Sequence, residues 1–274
     1  MSIRSSLLGL LPLSVLIGSS VMVQSTAFDD DKKPTCDKYV LNTYLYLTIA
    51  LSMIITFVIF LNALLPNYTN FIASSMMAFI ITFLINVILL FYLRYLIITV
   101  SPLEVQKKTA IWIGFILNMA FLVLPTIQIT ILQKYTGLIL SAILLTLLLT
   151  TSLSGIAFYK PELIQTQSLK PYIGIGLIGL FLGYLIPFFV CMVKNCKDTF
   201  LNSLMYYLAI IGVILFSFLL LYRTKIVIEN AEKCKTPENA DYIKESTGLF
   251  VTIINIFLDI LTILKGKKSM RRLK

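Results

Sequence analysis

The sequence contains no histidine. That absence removes Ser-His and Cys-His nucleophilic catalysis, zinc sites of the His-x-x-x-His kind and His-ligated haem. Charge is scarce as well: 13% of the 274 residues are Asp, Glu, Lys or Arg, against about 25% in soluble domains. Cysteine is limited to Cys36, Cys191, Cys196 and Cys234. No zinc spacing is present and a disulfide framework is not implied, so these thiols are expected to be inert. Neither a Gly-x-Ser-x-Gly elbow nor a phosphate-binding glycine loop occurs. An intramembrane aspartyl protease needs two embedded aspartates, and only Asp259 lies well inside an apolar run. The expectation is therefore not an enzyme, with no cofactor and no metal.

What is abundant is apolar surface. The chain is 58% hydrophobic with a mean hydropathy of +0.91. Its apolar runs are too long for membrane strands, which alternate over about ten residues. The predicted class is an all-α, polytopic membrane helical bundle of about seven spans around a central last helix. Spans are placed near 40–64, 71–98, 109–131, 137–158, 171–193, 200–222 and 247–264. Most match the ~20 residues that cross a bilayer; the last is short. Breakers fall at Pro66-Asn67, Ser101-Pro102, Tyr135 to Gly137, Lys160-Pro161 and the polar run Lys225 to Lys244. Pro125 and Pro187 lie inside spans and predict kinks. Gly176, Gly179 and Gly183 share a face that suits close helix approach.

Residues 1–27 read either as a secretory or targeting leader or as a retained extra helix, with Pro12 and Gly18 interrupting the apolar run. No polar stripe marks a packing face, so this segment is not expected to join the core. Residues 28–39 form a polar linker, 40–264 the membrane domain and 265–274 a basic tail. The net charge of +10 sits in loops and tail. It indicates topology and anionic lipid contact, not nucleic acid. With the start of the first span in the cytosol, Lys32, Lys33, Lys38, Arg94, Lys107, Lys108, Lys160, Lys170, Arg223, Lys225, Lys233, Lys235 and Lys244 are inside, while Lys134, Lys194 and Lys197 are outside. The tail breaks this bias, unless the short last segment dips in and returns. Asn67-Tyr68-Thr69 is a sequon too close to the membrane to carry sugar.

The last apolar segment, ESTGLFVTIINIFLDILTIL, carries Glu245, Gly248, Thr252, Asn255, Asp259 and Thr262 at steps of three and four. At about 100° per residue they share one stripe. Unpaired polar groups in hydrocarbon cost several kcal/mol, so the stripe must face helices or a wet cavity. It serves either as helix glue or as an ion path. Arg94, Arg223 and Glu245 fall near the inner face, where the arginines either meet the carboxylate or snorkel to headgroups.

Several stretches carry a resemblance. GVILFSFLLLYRTKIVIENA resembles the Gly-x-x-x-Phe-Ser span ending in Tyr-Asp-Thr-Gln of the Bax inhibitor motif family. DYIKESTGLFVTIINIFLDILTIL resembles its closing segment, LNTYLYLTIALSMIITFVIF its first span, and LILSAILLTLLLTTSLSGIAFYKPE its fourth. The resemblance covers roughly 40–264. It implies a seven-helix fold around the last helix, an endomembrane (endoplasmic reticulum or Golgi) or mitochondrial inner-membrane location, a pH-controlled calcium leak and restraint of cell death. Implied partners are membrane lipids and other membrane or cell-death regulatory proteins. Arg94 matches the family's arginine, whereas its two pH-sensing acids stand here as Arg223 and Thr252. The expected role is modulation of ion content or cell death; the competing class is a non-conducting scaffold on the same fold.

Overall fold

The computed structural model describes residues 3–68, 70–71, 76–132, 135–164, 166–193 and 199–272. Thr69, Lys134, Lys194, Cys196 and Lys197 lie outside the described residues, as do the side chains of Lys170, Pro187 and Cys191. Among the described residues there are eight long helices: α1 Ile3–Thr26, α2 Tyr39–Leu64, α3 Met76–Thr99, α4 Val105–Leu132, α5 Thr136–Tyr159, α6 Thr166–Val193, α7 Thr199–Lys233 and α8 Tyr242–Arg272. Six are long and apolar enough to cross a membrane, and Pro171–Tyr184 in α6 is a shorter apolar stretch. The chain is an all-α polytopic membrane bundle. The helices of lowest burial turn Ile88, Phe91, Leu144 and Leu148 outward, as lipid solvent permits.

Two helix boundaries differ from the sequence expectation. The run from Lys225 was read as a breaker, yet α7 continues through Lys233. Charge does not stop a helix: Lys225, Glu229 and Lys233 recur at four-residue steps, the spacing of favourable ion pairs. The actual break holds Cys234 and Pro237. The last segment was read as short, with a possible return. Instead α8 is one helix of 31 residues, a rise of about 46 Å, ample for a hydrocarbon core about 30 Å thick. Of the six membrane-length helices it buries the largest share of its span. Pro125 lies inside a continuous α4.

The chain divides into two compact units. Residues 1–132 and 229–250 make the first, in which α1 packs on α2, and α4 packs on both α2 and α3. The expectation that residues 1–27 stay out of the core is corrected: α1 lies along α2. The packing face is Ser19, Val23 and Ala27, all buried at four-residue spacing. Only Ser19 among them is polar, so the absence of a polar stripe was no guide. Asn42 on α2 then fixes the end of α1. Its Nδ2 donates to the carbonyls of Thr26 and Asp37 at 3.0 and 3.2 Å, and its Oδ1 accepts from Thr26 Oγ1 at 2.6 Å.

Residues 133–228 and 251–274 make the second unit. Two of the three glycines expected to form a packing face do so: a Cβ on Gly176 or Gly183 would lie 2.8 or 2.9 Å from Leu215 or Leu208 of α7, whereas Gly179 meets nothing.

Candidate functional site

The first unit gathers polar groups around the start of α8. Asp241 precedes the helix, and its Oδ1 accepts the Lys244 amide at 3.2 Å, an N-cap for one of the free first-turn donors. Its Oδ2 accepts from Lys108 Nζ at 2.7 Å, and the same ammonium donates to the Val100 carbonyl at 2.7 Å. Lys108 had been counted as a cytosolic loop cation. It is 1% exposed, and a buried ammonium persists only because these oxygens surround it. Tyr46, Pro102 and Tyr242 join Lys108 and Asp241 around a cavity of about 20 Å³. Tyr242 stacks on Tyr46 with centroids 6.0 Å apart and meets Tyr39 edge-on at 5.3 Å. Its hydroxyl donates to the Thr35 carbonyl.

Two of the six predicted polar residues lie in this unit. Arg94 Nη1 donates to the Lys244 carbonyl at 3.5 Å, a long contact at the same helix start. Glu245 is buried, and its Oε1 accepts from Asn230 Nδ2 at 3.1 Å.

A covalent link sits beside this cluster. Cys36 and Cys234 form a disulfide, with Cα atoms 5.5 Å apart. The expectation of inert thiols is corrected for this pair. Their separation of 198 residues leaves no local spacing to recognise. Only folding of 28–38 against 234–241 brings them together.

The other four predicted residues belong to the second unit. Arg223 ends the apolar part of α7, and its Nε is buried with no hydrogen-bond partner among the described residues. Thr252 is 1% exposed. Asn255 is half-buried and spends its amide on the Val251 carbonyl of its own helix. Asp259 has the most distinctive surroundings. It is 7% exposed, and Oδ1 accepts the Tyr184 hydroxyl at 2.7 Å. Oδ2 is buried and finds no hydrogen-bond partner among the described residues. The carboxylate lies directly against Gly212 of α7, where any Cβ would collide with it. Thus α6 supplies a hydroxyl, α7 supplies room, and α8 supplies the acid. Tyr184 and Gly212 were missed as partners because each sits in an otherwise apolar run with no charged neighbour.

Chemically, this second site can hold a proton or present one carboxylate oxygen to a cation. The first site pairs its buried ammonium with two oxygens and holds the start of α8 in place.

A family model described as "Inhibitor of apoptosis-promoting Bax1" matches residues 36–269. No curated protein sequence matches the chain.

Proposed function

The chain belongs to the Bax inhibitor family, and from that premise we propose that it modulates ion leak, calcium foremost, and cell death from an internal membrane. Asp259 is the observation that supports this reading. An acid within a membrane helix is costly and is kept where substrate or ions use it, or where it glues helices. A pure glue would have both oxygens engaged. Asp259 engages one through Tyr184 and leaves Oδ2 unpartnered among the described residues. In this reading Asp259 takes over from the family acids that stand here as Arg223 and Thr252. The compartment is the endoplasmic reticulum or Golgi endomembrane, or the mitochondrial inner membrane.

A non-conducting scaffold on the same fold is the second reading. It is favoured by the same replacement, since Arg223 and Thr252 leave the family's acid pair absent. Calcium efflux from sealed vesicles holding the purified full chain separates the two. Conduction predicts efflux above protein-free vesicles that falls several-fold in Asp259→Asn. Efflux equal to protein-free vesicles establishes the scaffold.

A further inference from the structure

We infer that Cys36–Cys234 is a structural disulfide on a membrane face turned towards an oxidising compartment, so that the cation-rich end of the first unit is not cytosolic. The inference does not depend on ion conduction.

Three connections meet at this end. The disulfide joins the segment before α2 to the segment before α8. Lys108 bonds the Val100 carbonyl, at the α3–α4 connection, to Asp241, at the start of α8. Tyr242 reaches back to the Thr35 carbonyl, one residue before Cys36. These contacts place Lys32, Lys33, Lys38, Lys107, Lys233 and Lys235 on the same side as the bridge. The lysine bias assigns that side to the cytosol. Yet both cysteines are only half-buried, next to exposed Asp37, Lys233 and Lys235. A pair so accessible would be held as thiols by cytosolic glutathione and thioredoxin. The lysine rule is a statistical bias acting during insertion, whereas the bridge is a covalent record of where the finished chain resides.

Formation of the bridge balances simply. Two S–H bonds break and one S–S bond forms. Two protons and two electrons pass to a disulfide of that compartment, either a thiol oxidoreductase or oxidised glutathione, which becomes two thiols.

The test uses the unaltered chain. Cells are treated with a membrane-permeant alkylating agent before lysis, and the protein is digested without reductant. Mass spectrometry is expected to find the Cys36 peptide linked to the Cys234 peptide. Sealed vesicles with the reducing face outward, cytosolic or matrix, are then exposed to a membrane-impermeant phosphine reductant. The linked peptide is expected to survive in sealed vesicles and to disappear once detergent opens them. Alkylated Cys36 and Cys234 in the cell sample would overturn the disulfide. Loss of the linked peptide in sealed vesicles would overturn the orientation.

Discussion

Lys108 Nζ lies 2.7 Å from Asp241 Oδ2, and both side chains are largely withdrawn from solvent, at 2% and 17% exposure. The pair couples α4 to the start of α8, because Asp241 also caps that helix. Removing one partner strands a buried charge, which typically costs about 3–5 kcal/mol. Lys108→Met and Asp241→Asn should each lower the unfolding midpoint in detergent clearly. The double variant should be less destabilised than the sum of the two. Strict additivity would show that the two groups do not act as a pair.

A second expectation concerns Gly212. Gly212→Ala places a methyl group against the Asp259 carboxylate, within 2.8 Å of its Cγ. Overpacking of this kind costs about 1–3 kcal/mol. In an Asp259→Ala background the obstruction is gone, so the added methyl should cost much less there. Thermal unfolding of the four proteins in this cycle checks it.

Tyr184→Phe removes the hydroxyl that Asp259 Oδ1 accepts while leaving the ring in place. An acid deprived of a buried hydrogen bond loses about 1–3 kcal/mol. The variant should be destabilised by that order, and Asp259→Asn should restore part of it by removing the charge. Calcium efflux should change in Tyr184→Phe if Asp259 lies on the ion route. An unchanged efflux alongside lowered stability would leave Tyr184 a purely structural partner.

Asn42 offers a fourth test. With Asn42→Ala, the Thr26 and Asp37 carbonyls and the Thr26 hydroxyl all lose a partner. Residues 1–27 should then become more sensitive to protease than in the unaltered chain, while digestion of α2 to α4 is unchanged. Equal cleavage rates in the two proteins would show that Asn42 does not hold α1.

The bundle was legible because its signal is local. Runs such as 137–158 and 109–131 are long and almost free of charge, and the helices fall within a few residues of them. Thr252, Asn255 and Asp259 were legible as one face of a helix. What surrounds them was not, since Tyr184 is 75 residues from Asp259 and carries no pattern of its own. Lys108 and Asp241 are 133 residues apart and each resembles an ordinary loop charge. Long-range pairing, covalent or ionic, leaves no period in a single chain. The run beyond Lys225 misled for the opposite reason: its charges are conspicuous, and conspicuous charge suggests a loop even when the spacing suits a helix.

The length of α7 has a consequence for bilayer fit. Its 35 residues rise about 52 Å, and even a tilt of about 40° leaves roughly 40 Å along the membrane normal. The stretch from Thr199 to Tyr222 is free of charge and Arg223 follows at once. That uncharged stretch alone rises about 36 Å, slightly more than a hydrocarbon core of about 30 Å. The helix therefore works as a depth gauge. Lipid thickness sets its slant: a thinner membrane tips the rod to keep its uncharged stretch in oil, and only a core thicker than that stretch would draw Arg223 and the charged turns after it inward.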